Sequence, residues 1–133
     1  MSNQEQERRE YLELFSKAFY DNDVAATAEL VTADFVWAFY EGPDRPDGLI
    51  FHGATEACAA VVKRSEQLKV PINFTESEQF HCGDRTFTTY RATGEFHATG
   101  PFDVRAVNIY KFRGGKLSSK DTYWKIITKA CSL

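Results

Sequence analysis

The second half of the chain constrains the fold most, because long strand-like runs alternate there with turn signals that contain glycine. From Pro71 onward aromatic and β-branched residues dominate, and the breaks between them are Gly83-Asp84, Gly100-Pro101 and Gly114-Gly115. Each of these breaks is a recognised hairpin signal. The sequence therefore predicts an antiparallel meander of four strands, over residues 72–82, 86–99, 102–112 and 117–127.

The first half of the chain predicts helices with two short strands between them. A capping-box pair, Ser2 and Glu5, precedes an apolar stripe at helical spacing, which predicts a first helix that ends near Tyr20. Asp23 can cap a short second helix, and Gly53 opens a third. The runs FVWAFY and LIF predict the strands between the second and third helices. Helices at one end and a curved antiparallel sheet at the other predict an α+β cone, in which the sheet wraps three helices around an internal pocket.

Size and charge narrow the classes of partner. A chain of 133 residues fits a single domain over 1–133. Its 16 Lys and Arg against 19 Asp and Glu give a net charge of −3, so nucleic acid and anionic membranes are not expected as partners. The polar first ten residues and the lack of a long apolar run predict a cytoplasmic protein. Cys58, Cys82 and Cys131 fit neither a disulfide framework nor a zinc site.

The order of these elements resembles the nuclear-transport-factor-2-like superfamily, in particular its SnoaL-like branch. The segments that carry the resemblance are FVWAFYEG, FHG and the ending VRAVNIYKFRGGKLSSKDTYWK. The resemblance spans nearly the whole chain and implies the cone fold, with dimerisation through the outer sheet face. It leaves the activity open, because this superfamily includes ketosteroid isomerases, polyketide cyclases, dehydratases, epoxide hydrolases and non-catalytic binding proteins.

Ketosteroid isomerase chemistry is not expected here. The resemblance places the family's tyrosine at Phe15, its carboxylate base at Phe39 and its protonated acid at Asn108. Phenylalanine can neither transfer a proton nor donate a hydrogen bond. Asn108 keeps a polar group on an otherwise apolar strand face, where it could orient a substrate oxygen; the alternative is a core amide satisfied within the protein.

Strand register decides which residues share the face of Asn108. If Gly100-Pro101 is a two-residue loop, that face carries Arg91, Thr93, Glu95 and His97; one more loop residue gives Tyr90, Ala92, Gly94, Phe96 and Ala98 instead. We favour the second set, because burying unpaired Arg and Glu is costly. His97 would then lie at the surface or at a dimer interface, although a His97–Glu95 pair in the pocket stays open.

The last hairpin raises the same question for Asp121 and Trp124, which lie on opposite strand faces. Alignment of Tyr123-Trp124 with the family puts Trp124 in the cavity, beside Lys120 and Thr122, and leaves Asp121 outside. A tight turn at Gly114-Gly115 would set Asp121 opposite Asn108. Because SnoaL-like cyclases use an acidic base, Asp121 is the leading candidate base, and a surface ion pair is the alternative.

Aromatic side chains predict the character of the pocket. The predicted lining is Phe15, Phe19, Trp37, Phe39, Tyr110 and Trp124. Such a lining favours a flat, apolar ligand over a sugar or phosphate, although aromatic clusters also form plain core. His52 and His81 lack neighbours at metal-ligand spacing, and no nucleotide-binding motif is present, so neither a metal nor a cofactor is expected.

Two functions remain after this reasoning. The first is a cofactor-independent isomerase, cyclase or dehydratase that acts on an apolar oxygenated molecule of aromatic or polyketide type. Asn108 would hold the oxygen there, and Asp121 or His97 would move the proton. The second is a binding or interaction protein that uses the same aromatic pocket without chemistry.

Overall fold

Helices precede most of the sheet in the computed structural model, which describes residues 2–41 and 46–125. The helices are α1 (Asn3–Tyr20), α2 (Val24–Leu30) and α3 (Gly53–Glu66). The strands are β1 (Val31–Tyr40), β2 (Leu49–His52), β3 (Leu68–Cys82), β4 (Arg85–Phe96), β5 (Gly100–Arg113) and β6 (Lys116–Lys125). Part of the loop expected before β2, the expected end of the last strand and Cys131 lie outside the described residues.

Both predicted helix caps are confirmed. The Ser2 hydroxyl accepts a hydrogen bond from the backbone N–H of Glu5 at 3.1 Å. The Asp23 carboxylate accepts one from the N–H of Ala26, also at 3.1 Å, and so satisfies a first-turn donor of α2. Of the helices in the described ranges, none has the combination of length and hydropathy that a membrane span requires.

The strands lie in the order β2-β1-β6-β5-β4-β3. The predicted α+β cone and the meander from β3 to β6 are confirmed, since these four strands pair antiparallel in sequence order. The expectation of a wholly antiparallel sheet is wrong in one place, because β1 pairs parallel with β6. This pairing joins the first strand to the last and brings the aromatic run of β1 beside the end of the meander.

The β4–β5 turn falls three residues earlier than expected. The chain turns at 97–99, and Phe96 pairs with Gly100, whose φ of +85° suits glycine at the end of such a turn. The resulting register sets Thr88 opposite Asn108 and Tyr90 opposite Ala106. Of the apolar set favoured from the sequence, Tyr90, Ala92, Gly94 and Phe96 therefore share the face of Asn108, and the set with Arg91 and Glu95 does not. Ala98 does not join them, because it lies exposed in the turn.

The β5–β6 hairpin combines a tight turn with a β-bulge. Arg113 pairs with Lys116 across Gly114-Gly115, a register that would carry Asp121 opposite Asn108. A shift between Phe112 and Lys111 adds one residue to β6, so that Thr122 lies opposite Asn108 instead. The bulge therefore places Lys120, Thr122 and Trp124 inside and Asp121 outside, as the family alignment implied.

Candidate functional site

The predicted aromatic lining divides between solid core and cavity wall. Phe15 and Phe19 are fully buried and stacked, with ring centroids 5.1 Å apart, and they do not line the cavities described below. Trp37 and Phe39 line a cavity of about 250 Å³ between α3 and β2. Trp124 is buried against Phe39, with ring centroids 5.3 Å apart.

Tyr110, the remaining residue of that set, lines a second cavity together with Asn108. This Asn108 cavity has a volume of about 290 Å³ and lies between α1 and the inner face of β3, β4 and β5. Its wall includes Ser16 and Tyr20 of α1 and Tyr90 of β4. Polar and aromatic groups therefore meet in one space large enough for a small organic molecule.

Asn108 is held between two tyrosines. The Tyr90 hydroxyl donates to Asn108 Oδ1 at 2.9 Å, and Asn108 Nδ2 donates to the Tyr110 hydroxyl at 3.1 Å. Burial first, and then the nearby Tyr20, raises the pKa of both tyrosines, so they stay protonated at neutral pH. Because Tyr110 accepts in its bond to Asn108, its own proton is left for another acceptor, such as a ligand oxygen.

Lys120 is buried within a cage of aromatic rings, and the residue is only 1% exposed. Its ammonium nitrogen lies 4.5 Å from the ring centroid of Phe19 and 5.2 Å from that of Trp37. The same nitrogen donates a hydrogen bond to the hydroxyl of Tyr20 at 3.3 Å. Burial lowers the pKa of Lys120, and the charge of Tyr20 opposes that effect.

Tyr20 connects this cage to the Asn108 cavity. Tyr20 as a whole is 39% exposed, while its hydroxyl accepts a hydrogen bond from the buried Lys120. Burial acts to raise the pKa of Tyr20, but the positive charges of Lys120 and Arg64 outweigh it, and the net pKa lies below the ordinary 10.0. Tyr20 is therefore an acidified phenol at the wall of a cavity.

Arg64 of α3 is the second cation near this phenol. Its guanidinium lies over Phe39 at 5.6 Å and over Trp124 at 5.7 Å from the ring centroids. The side chain lines the Trp37–Phe39 cavity and also a space of about 330 Å³ between α3 and β3 that Tyr20 shares. Arg64 thus lines both of these cavities, and its positive charge favours the ionised form of Tyr20.

The structure does not bring Asp121 or His97 to Asn108, which corrects the sequence-based grouping. The β6 bulge turns Asp121 to the other sheet face, where burial raises the pKa of its carboxyl and Arg85 opposes that effect. His97 lies exposed in the β4–β5 turn. His81 bonds through Nδ1 to the Thr86 hydroxyl at 2.9 Å. Between residues 2–41 and 46–125, no three His, Cys, Asp or Glu side chains are grouped as metal ligands.

Sequence reasoning assigned no role to Tyr20, Arg64 or Lys120. The one available signal was the inward face of the last strand, where a lysine alternates with Thr122 and Trp124. A lysine at an inward position needs a hydrogen-bond or charge partner, because an unpaired buried ammonium destabilises the fold. The partner, Tyr20, lies 100 residues away in sequence, so local pattern could not identify it.

Comparison with known families agrees with this architecture. The SnoaL-like domain model matches residues 9–120, which is most of the chain. The chain belongs to the SnoaL-like family. A search of the curated proteins found no match.

Solved structures show the same fold at low sequence identity. An NTF2-like protein from Burkholderia xenovorans has a TM-score of 0.73 at 23% identity, over 90% of each chain. A Bacillus subtilis protein described as a candidate isomerase has a TM-score of 0.68 at 19% identity, over 93% of this SnoaL-like chain and 90% of its own.

A third similar structure carries a ligand. It is a Catenulispora acidiphila protein with a ketosteroid isomerase-like fold in complex with trimethylamine. Its TM-score is 0.64 at 17% identity, over 86% of this chain and 84% of its own. At such identities the likeness establishes the fold alone.

Proposed function

We propose that this SnoaL-like protein binds an apolar, oxygenated small molecule in the Asn108 cavity and catalyses proton transfer on it without a cofactor. The reaction would be of the isomerase, cyclase or dehydratase type, on an aromatic or polyketide-like substrate. The observation that carries the proposal is that Tyr20 and Asn108 line one cavity while the Lys120 amine lies 3.3 Å from the Tyr20 hydroxyl.

The Tyr90–Asn108–Tyr110 group would hold the substrate oxygen. Removal of a proton beside a carbonyl moves negative charge onto that oxygen, and donors fixed before the reaction stabilise it best. Tyr110 has a proton to donate, and Asn108 holds its ring in place. The raised pKa of Tyr110 keeps this donor protonated throughout the neutral range.

Tyr20 would move the proton. As a phenolate stabilised by Lys120 and Arg64, its oxygen takes a proton from the carbon next to the carbonyl, and the C–H electron pair forms the enolate. Tyr20 then returns the proton to another carbon, as in an isomerase, or to a departing hydroxyl, as in a dehydratase. A base whose pKa is brought closer to neutrality is the more effective catalyst.

Deuterium exchange into β-tetralone in deuterium oxide tests the proposal, because this apolar bicyclic ketone has exchangeable protons beside its carbonyl. The protein should accelerate exchange, followed by proton NMR, and Tyr20→Phe should slow it about 100-fold or more. Tyr123→Phe is the matched control, since Tyr123 is 40% exposed and stacks on Tyr40 away from the cavity. Equal rates for wild type and Tyr20→Phe would refute the assigned role.

A non-catalytic binding protein is the second candidate. It is favoured by the bonds of the Asn108 amide to Tyr90 and Tyr110, and by the phenylalanines at positions 15 and 39, where the family resemblance implies catalytic groups. β-Tetralone that binds in equilibrium dialysis but exchanges at the buffer rate would establish this alternative.

We also propose a homodimer that forms through the outer sheet face, in the cytoplasm. Phe80 and Tyr123 are exposed on strands of that sheet, with 52% and 40% of each residue accessible. The free thiols Cys58 and Cys82 fit a reducing compartment. Sedimentation equilibrium at micromolar concentration should give twice the chain mass of 15.1 kDa, and a monomer would contradict the dimer.

A further inference from the structure

The Trp37–Phe39 cavity carries charged side chains in its wall, whereas the described wall of the Asn108 cavity has no Lys, Arg, Asp or Glu. The two cavities share no lining residue. The charged residues of the Trp37–Phe39 cavity are Lys63, Arg64 and Glu41. Two cations against one carboxylate leave this wall with a net positive charge, so the cavity favours an anion.

Arg64 is the cation in this wall that a ligand can use best. The residue is half-buried, and its guanidinium carbon lies 5.6 Å from the ring centroid of Phe39 and 5.9 Å from that of Trp37. Between residues 2–41 and 46–125, none of the ion pairs includes Arg64 or Lys63. The interaction of Arg64 with Tyr20 engages only part of a group that has five N–H donors. Donors therefore remain for an anion, while the aromatic rings restrain the side chain.

Apolar side chains form much of the remaining wall. Leu49 and Phe51 of β2 and Ala60 of α3 are half-buried, so each keeps surface that a ligand can contact. Phe51 lies against Trp37, with ring centroids 5.3 Å apart, and so extends the aromatic surface to the edge strand. At about 250 Å³ the cavity is smaller than a site for a drug-sized ligand, and it suits a molecule of one or two rings.

We infer that the Trp37–Phe39 cavity is a second binding site, which takes a small aromatic carboxylate. The rings of the ligand lie against Leu49, Phe51 and Ala60, and its carboxylate binds the Arg64 guanidinium. A planar carboxylate matches the donor fork of a guanidinium, and an inorganic anion would leave the apolar wall uncovered. The site does not depend on the proposed function, because the two cavities have separate walls.

A matched pair of probes tests the charge of the ligand: 2-naphthoate and its neutral analogue 2-naphthamide. In isothermal titration calorimetry the wild type should bind 2-naphthoate about tenfold more tightly, the factor expected for one charge-assisted hydrogen bond. Arg64→Gln should abolish this preference. Arg105→Gln is the matched control and should retain it, since the Arg105 side chain is 67% exposed on β5, outside the cavity wall. Equal affinities of the wild type for the two probes would overturn the carboxylate ligand.

NMR locates the bound probe in the wild-type protein, without a substitution that could disturb the fold. With alanine and leucine methyl groups labelled, 2-naphthoate should give nuclear Overhauser contacts to Ala60 and Leu49. Contacts to Leu12 instead would place the probe in the Asn108 cavity and overturn the second site. Failure of 2-naphthoate to bind would overturn it as well. Exchange into β-tetralone tests the proposed function separately from all of these results.

Discussion

Buried polar groups have partners on one side of the interior and lack some of them on the other. On the β1–β6 side, the Lys120 cage of Phe15, Phe19, Tyr20 and Trp37 surrounds one amine with rings and gives it a hydroxyl partner. On the β3–β5 side, Gln79, Thr88 and Asn108 lie opposite one another on adjacent strands and form a polar row. Asn108 is bonded to two tyrosines, whereas Thr88 Oγ1 and Gln79 Oε1 have no hydrogen-bond partner among the described residues.

This difference separates stability from function. A satisfied, close-packed cage stabilises the fold, whereas buried polar atoms without a partner reduce its stability. Tyr20 belongs to both sides, because its hydroxyl contacts Lys120 and the residue lines the Asn108 cavity. Substitutions in the cage should therefore act mainly on folding, and substitutions in the row mainly on binding and rate.

The largest expected effect is on the cage. Phe19→Ala should lower the free energy of unfolding by about 3–5 kcal/mol, because it removes a fully buried ring that contacts Phe15, Trp37 and Lys120. Leu14→Ala on the same helix, where the side chain is 60% exposed, should cost less than about 1 kcal/mol. Urea denaturation measures both, and similar losses would contradict a cage that supplies the core.

A smaller effect is expected at the bonded end of the polar row. Asn108→Leu should cost about 2–3 kcal/mol, because it leaves the hydroxyls of Tyr90 and Tyr110 without their partner. In a double-mutant cycle with Tyr90→Phe, the coupling free energy should be about 1 kcal/mol. Strict additivity would mean that the Tyr90–Asn108 bond contributes nothing to stability.

The cage should also give the protein a distinctive alkaline behaviour. The pKa of Lys120 lies below its ordinary 10.5, so the unfolded chain binds more protons than the folded one between those two values. The contribution of Lys120 to stability therefore rises with pH across that window, and the lowered pKa of Tyr20 acts in the same direction.

In Lys120→Met this contribution is absent. The free energy of unfolding of wild type relative to Lys120→Met should therefore increase as the pH rises from about 7 to 10. Lys125→Met, at an exposed position of the same strand, should run parallel to wild type and serves as the control. A constant or shrinking difference for Lys120→Met would contradict the burial of a titrating amine.

The smallest effects are expected at the two residues that sequence reasoning favoured for proton transfer. Asp121→Asn and His97→Gln should each change the β-tetralone exchange rate less than about twofold, because neither side chain faces the Asn108 cavity. A loss comparable to that of Tyr20→Phe in either variant would move the reaction to another part of the molecule.

Most helices and strands, and the β4 residues that share the face of Asn108, could be predicted because local signals in the sequence specify them. Caps at Ser2 and Asp23, hairpin glycines and the cost of burying Arg91 and Glu95 all act over short distances along the chain. The bulge in β6 could not be predicted, since a single added residue reverses strand parity without a strong local signal. The Tyr20–Lys120 contact was also out of reach, because it depends on how the first helix packs against the last strand.

Tyrosine ionisation tests the central claim most directly, through an NMR titration of the protein labelled with ¹³C at tyrosine Cζ. One tyrosine should ionise below pH 10.0, its signal should be absent from Tyr20→Phe, and its pKa should rise in Lys120→Met and in Arg64→Gln. If every tyrosine of the wild type ionised at or above its ordinary pKa, Tyr20 would not be an acidified phenol, and the proposed proton transfer would be contradicted.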